Sequence, residues 1–482
     1  MSEQTIRRAE KIVDLRAAMP WLVAAGVYVL LISVAAKLLG DPDTYSHLAL
    51  GRWILEQHAV PAVDPFSANF RGTHWLAFEW LSEVVFALAY AVGSWTGIVM
   101  TAALAAAMSF GLLTRFLLRE LRPVAALAGA LVALPLTAPH ILARPHILAL
   151  PIVVVWVAAL IRSVDTRTSP PWLILPLMTL WANLHGSFTF GLAMAGAVGA
   201  EAIFCAKPGV RMHALRLWAL FGLLAFAAAC LNPYGPEMVL VTARTIALGS
   251  ALSTIVEWRP QDFSHIGSFE VVMLGAIGVA LYHGVRLPVF RIFMLLGVLH
   301  LSLSHVRHAD LLGMLAPILL ARPLTKQFKE LSAGRGTVSL RSQALLPAIA
   351  VSAIFVVALP AALRADVAPP ARITPANALH ALAGVKHGPI LNDYDFGAYL
   401  DFVGIPPFID GRSELYGESY IVRHTRALNL QNLPDFLKLL DEYHIGATLL
   451  APATPAVALL DRLPGWKRIY ADDDAVVHVR RP

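Results

Sequence analysis

Between residues 21 and 363 the chain is a succession of apolar runs, most of them close to the roughly 20 residues that a helix of about 1.5 Å rise needs to cross hydrocarbon about 30 Å thick. Water is absent from a bilayer core, so backbone N–H and C=O groups there must pair internally, and such runs must be helical. A content of 57% hydrophobic and 15% charged residues over 482 positions excludes an ordinary soluble enzyme. The runs fall at 21–39, 96–114, 124–139, 145–161, 171–184, 187–206, 214–231, 268–285, 288–304, 309–321 and 343–363, which predicts an α-helical polytopic membrane protein of about 11 transmembrane helices.

Arg7, Arg8, Lys11 and Arg16 precede the first run, which is longer than the apolar core of a secretory signal. Residues 1–20 therefore read as a cytoplasmic N-terminus and the first run as an uncleaved anchor, with Lys37 snorkelling at its outer end. In this orientation nineteen Lys and Arg fall in the inner segments and seven in the outer ones, as the positive-inside rule requires. The net charge of +6 is spread over these breaks and does not point to nucleic acid. Cys205 and Cys230 fall near opposite faces, so no disulfide is expected between them.

Eleven crossings place the tail outside the cytoplasm. After Pro369 and Pro370 the pattern changes: short apolar runs at 389–391, 407–409, 447–450 and 475–479 alternate with helix-like stretches at 419–428, 434–443 and 454–462. The chain divides accordingly into a transmembrane part, 21–364, and a small extracytoplasmic α/β domain, 365–482. The first outer loop, 40–95, is too long for a connector. It holds an expected helix at 44–57, a Pro/Gly-rich middle, and an apolar helix at 76–92 assigned to the membrane interface.

The chemistry-bearing residues gather in the outer breaks. Asp41, Asp43 and His47 lie within seven residues; a helix starting near Asp43 puts Asp43 and His47 on one face, suiting a general base or a hard-metal ligand set, although Asp43 could equally cap that helix. Asp64 opens a turn, while Glu79 and Glu83 lie four apart on an apolar helix, where an acid needs a partner or water. His140, Arg144 and His146, then Asn183 and His185, then Asn232 to Gly235, Glu257 to Pro260, and His305 to Asp310 occupy later breaks on the same side. Arg144 and Arg307 have the fork geometry that recognises phosphate. No Walker loop or Gly-x-Gly-x-x-Gly fingerprint is present, and no His-Glu-x-x-His zinc set. The acids and aromatics around Asp393, Tyr394 and Asp395 suit a sugar-binding platform or a strand-to-helix turn.

The motifs Asp41-Pro42-Asp43 to His47, Gly51-Arg52-Trp53, Asp64-Pro65-Phe66-Ser67, Glu79-Trp80, Ala143-Arg144-Pro145-His146, Trp181 to Gly186, Asn232-Pro233-Tyr234-Gly235 and Asn392 to Gly397 together resemble a group of bacterial polytopic proteins related to GT-C-fold glycosyltransferases. The likeness extends distantly to the oligosaccharyltransferase catalytic subunit and the polyprenyl-phosphate-sugar transferases. It implies transfer of a sugar from a polyprenyl-phosphate or diphosphate lipid to a glycan or lipid acceptor at the outer face of the bacterial inner membrane. By that resemblance Asp41 or Asp43 would be the base, or would ligate a divalent metal such as Mg or Mn. His47, Arg52, Asp64, Glu79, Arg144, His146, Asn183, His185, Tyr234, Arg307, His308, Asp393, Tyr394 and Asp395 would bind substrate. Three departures stand out: Tyr45 and Ser46 stand where the group has its usual aromatics, Phe78 replaces an expected histidine, and Asn392 to Gly397 lacks paired tryptophans, so peptide recognition is not implied. A non-catalytic protein binding a glycan, lipid or partner protein is the alternative, and a transporter is less favoured because the runs carry few charges.

Overall fold

The computed structural model describes residues 15–249, 252, 255–333, 360, 364–365 and 367–481. The apolar run at 343–363 lies outside the described residues apart from Pro360, as do Arg7, Arg8 and Lys11.

Among the described residues the longer helices of the first part are α1 (Leu15–Ile32), α2 (Asp43–Gln57), α3 (Trp80–Glu120), α4 (Pro123–Thr137), α5 (Pro145–Thr166), α6 (Leu175–Leu184), α7 (Phe188–Phe204), α8 (Pro208–Ala229), α9 (Ser268–His283), α10 (Val289–Ser304) and α11 (Ala309–Gln327). Proline in the first turn fixes the starts of α4, α5 and α8, where its missing N–H costs nothing. Among the described residues four helices are long and apolar enough to cross a membrane, and five shorter apolar helices accompany them.

The 41 residues of α3 would run about 60 Å if straight, twice the thickness of a bilayer core. Non-helical dihedrals at Gly93 and Ser94, the latter at φ 53°, break it into two limbs. The interfacial helix expected at 76–92 is therefore the first limb, starting at Trp80 and joined to the next run without a loop. The second limb buries a face of small residues that includes Ala102, Ala103, Ala106 and Ser109. At Gly111 an added Cβ would come within 3.1 Å of the Pro20 carbonyl, so small side chains let α1 and α3 approach closely.

Arg291, counted from sequence among the inner-loop cations, is instead buried inside the helical bundle. Its Nη2 lies 2.9 Å from Asp165 and its Nε 2.9 Å from Glu201, tying α10 to α5 and α7. Cys205 and Cys230 are free thiols.

The C-terminal part is α/β. Its sheet runs in the order β1 (Ile390–Asn392), β2 (Ala447–Leu450), β4 (Val476–Arg480), β3 (Trp466–Ala471), with β1 and β2 parallel and the remaining pairs antiparallel. The parallel β1–β2 pair needs a crossover, which α12 (Tyr394–Val403), α13 (Ser413–Leu428) and α14 (Leu433–Glu442) supply. The apolar run 407–409 forms no strand. Asn392 takes the place of a ladder partner there: its Oδ1 accepts from the Phe408 N–H and its Nδ2 donates to the Ile409 carbonyl, each at 2.7 Å. β3 was not anticipated, because Lys467 and Arg468 interrupt its apolar alternation.

This part sits on the first loop through buried polar contacts. Arg412 donates to Asp64 at 2.6 Å and to Asp410 at 2.6 Å, and Asp401 lies 3.9 Å away. Ser46 donates to Asp401 at 2.9 Å, and the Trp75 indole to Glu414 at 2.7 Å. Removing one partner of a buried ion cluster leaves uncompensated charge worth about 3–5 kcal/mol. Arg412→Met should therefore lower the thermal midpoint of the detergent-purified protein and expose the segment near Pro370 to limited proteolysis; an unchanged digestion pattern would show that Arg412 does not hold the two parts together.

Candidate functional site

Pro42 and Asp43 open α2, and the Asp43 N–H is capped by the Asp41 carboxylate at 2.9 Å. Asp43 thus sits inside the first helical turn, where its charge meets the positive end of the helix dipole, and Asp41 does the capping that sequence allowed for Asp43. Pro145 opens α5 and holds Arg144 extended just before it. The Arg144 guanidinium reaches back to α2: Nη1 lies 3.1 Å from Asp41 Oδ2 and Nη2 2.8 Å from Asp43 Oδ2.

Nη1 also pairs with Glu257, whose other oxygen accepts from Arg307 at 3.0 Å. Arg307 lies over the Trp258 ring, 4.7 Å from its centroid. Three carboxylates and two guanidinium groups thus form one network drawn from α2, α5 and two later loops. Burial raises the pKa of Asp41 against the pull of Arg144, and raises that of Asp43 further, with Asp41 adding repulsion. Burial also acts to raise Glu257, but Arg144 and Arg307 outweigh it and hold that carboxyl below its usual range.

A second cluster lies one turn along α2. His47 Nδ1 is 3.2 Å from Glu83 Oε1, and His47 Nε2 is 3.8 Å from Glu79 Oε2. Burial, reinforced by Arg144, lowers the His47 pKa to about 3, so its ring is neutral. Glu79 is oriented by a relay. The Trp181 indole donates to Ser187 Oγ at 3.0 Å, and the Ser187 N–H donates to His185 Nδ1 at 3.1 Å. With Nδ1 an acceptor, the neutral His185 carries its proton on Nε2, 3.1 Å from Glu79 Oε1.

The expected residues thus fall into two sets. Asp41, Asp43, His47, Glu79, Arg144, His146, His185 and Arg307 converge; His146 donates to the His140 carbonyl at 2.9 Å with its ring 6.2 Å from that of His185. His308 flanks the network beside Trp258. The others brace it. Asn183 accepts from the Trp80 indole at 2.9 Å, and Tyr234 bridges the Ala77 N–H and the Pro61 carbonyl. Arg52 stacks on Tyr90 and Phe402, and Asp64 belongs to the Arg412 cluster. Asp393 caps α12, and the Tyr394 hydroxyl meets Ser413 at 2.8 Å. Asp395 is pushed up to about 6, mainly by burial and then by Asp393 and Asp41.

Glu257 and Glu83 were missing from the expected set, although each lay in a stretch already singled out: Glu257 beside Trp258 and Arg259, Glu83 four residues after Glu79. Gly411 was missed as well. It sits against the Asp43 carboxylate, which a Cβ there would overlap. A cleft of about 650 Å³ lined by Glu418, Arg423, Asn432 and Asp435 shares no residue with this network.

Arg144 takes one oxygen of each of Asp41 and Asp43, so a divalent metal between them would have to displace that guanidinium, while Asp43 Oδ1 lies outside the contact. Among the described residues the donor atoms of His47, Glu79 and Glu83 do converge, within 4.8 Å of one another.

No family model matches the chain, and no curated protein matches it. Solved structures do. ArnT from Cupriavidus metallidurans bound to undecaprenyl phosphate aligns at a TM-score of 0.53 with 14% identity, over 95% of this chain and 97% of that one. The oligosaccharyltransferase AglB from Archaeoglobus fulgidus, in complex with an inhibitory peptide and a dolichol-phosphate, aligns at 0.51 with 13% identity, over 89% of this chain and 69% of that one. An Archaeoglobus fulgidus oligosaccharyltransferase in complex with Zn and sulfate aligns at a TM-score of 0.51 with 13% identity, over 88% of this chain and 67% of that one. Both neighbours are GT-C-fold enzymes, and that fold is what this chain shares with them.

The electrostatics of Glu79 can be tested directly. Burial pushes its pKa up to about 8 from 4.5, so the folded protein binds this proton more tightly than the unfolded chain. That contribution to stability is fully present below about pH 4.5 and is lost as pH rises through about 8. In EDTA-treated protein the thermal midpoint should fall with rising pH more steeply for wild type than for Glu79→Gln; parallel curves would assign the slope to another group.

Proposed function

We propose that the protein is a membrane glycosyltransferase that takes a sugar from a polyprenyl-phosphate-linked donor at the outer face of the bacterial inner membrane, with Asp43 as the general base. The observation that carries this reading is the unequal use of the two first-loop carboxylates. Asp41 commits both oxygens, one to the Asp43 N–H and one to Arg144. Asp43 commits Oδ2 to Arg144, while Oδ1 has no hydrogen bond among the described contacts and faces Gly411.

Glycine at that position lets the backbone approach Oδ1, where any side chain would overlap it, so an acceptor hydroxyl would reach Oδ1 from beside that contact. The buried, repelled carboxylate of Asp43 is a stronger base than a solvated one. It takes the hydroxyl proton as the oxygen attacks the anomeric carbon; the bond from that carbon to the phosphate oxygen breaks, and the electron pair leaves with the lipid phosphate. Arg307 commits only Nη1 to Glu257 among the described contacts, so its other donors can meet the charge growing on the phosphate. The lipid phosphates bound by ArnT and AglB support a donor of this class. The excess of basic residues in the loops opposite the site supports the orientation.

General-base removal typically costs about 10²–10⁴-fold in rate. Asp43→Asn should therefore reduce sugar transfer from a labelled polyprenyl-phosphate donor pool by that order, with membrane insertion unchanged. Asp41→Asn should cost less, since it removes an orienting contact. Wild-type transfer by Asp43→Asn, or a larger loss in Asp41→Asn, would overturn the assignment.

A further inference from the structure

We propose that His47, Glu79 and Glu83 form a binding site for a divalent cation of the zinc type, held by His47 Nε2 and one carboxylate oxygen from each glutamate. The proposal rests on hydrogen-bond accounting and is independent of the transfer reaction. His47 Nδ1 meets Glu83 Oε1 at 3.2 Å, and with Nδ1 so engaged Nε2 is the ring nitrogen left to hold a cation.

Nε2 is buried and has no hydrogen-bond partner, and the same holds for Glu83 Oε2. The Glu83 side chain is only 5% exposed. Nε2 faces Glu79 Oε2 across 3.8 Å where little water reaches, and the donor atoms of His47, Glu79 and Glu83 lie within 4.8 Å of one another. A buried polar atom without a partner is costly, and a cation held between these three side chains would satisfy both orphaned atoms. Nearby Arg144 is committed to Asp41, Asp43 and Glu257.

The spacing suits a metal. Bonds of about 2.1 Å from zinc to imidazole nitrogen and carboxylate oxygen, at a tetrahedral angle, separate the two ligand atoms by about 3.4 Å. The surroundings suit it too. Trp181, Ser187 and His185 fix Glu79 Oε1 from behind and leave Oε2 to point at His47, the kind of outer support that metal-ligating carboxylates receive. Three protein donors leave a fourth position open for water or substrate.

The test uses the full-length protein in detergent and Zn²⁺ alone. After stripping with EDTA, reloading with Zn²⁺ and desalting, elemental analysis should find about one zinc per chain, and Zn²⁺ should raise the thermal midpoint. Glu83→Gln, which keeps the side-chain volume, and His47→Ala should each weaken Zn²⁺ binding at least about tenfold. Asp43→Asn should bind zinc as wild type does. Absence of zinc from the wild-type protein, unchanged retention in Glu83→Gln, or loss of zinc in Asp43→Asn would each overturn the proposal.

Discussion

The guanidinium of Arg144 is the contact on which the site is organised. Three carboxylates, from the start of α2 and from the loop after α8, meet on it, and each would repel the others if it were withdrawn. Its fork geometry matters as much as its charge. Two nitrogens address Asp41 and Asp43 separately, so the acids are held apart and turned in different directions, one wholly engaged and one with an oxygen to spare. A lysine could offset the charge but could not set that difference.

Positioning this fork takes backbone chemistry at two helix starts. Pro145 keeps Arg144 extended before α5, and the Asp41-Pro42-Asp43 turn presents two acids at the mouth of α2. The C-terminal part closes the arrangement from above. Its Arg412 cluster seats it on Asp64, and Gly411 then lies against Asp43 with no side chain in the way. The polar contacts that join the two parts are therefore the ones that shape the approach to the acids.

Much of the helical framework could be read from hydrophobicity. The runs at 124–139, 145–161, 187–206, 268–285 and 288–304 correspond to α4, α5, α7, α9 and α10 within a few residues, because a membrane-length apolar run admits one satisfied backbone conformation. Local rules failed where a distant group supplied the hydrogen bonds. The run 407–409 reads as a strand until the Asn392 side chain takes its ladder partners, and β3 hides behind Lys467 and Arg468 because its outer side faces solvent. Arg291 looks like a loop cation until Asp165 and Glu201 meet it inside the bundle.

The sequence by itself determined the class of the protein, its helical bundle, its small sheet, and a set of acids, histidines and arginines gathered in the breaks on one side. Those follow from composition and period, which are local. Only the tertiary structure decided how that set is divided: Asp41 and Asp43 to Arg144, His47 to Glu79 and Glu83, and Arg52, Asp64, Asn183 and Tyr234 to bracing the scaffold. The physical reason is that a charge is assigned by the nearest opposite charge within a few ångströms in a weakly screened interior, and residues 101 or 348 positions apart become neighbours only when the helices pack.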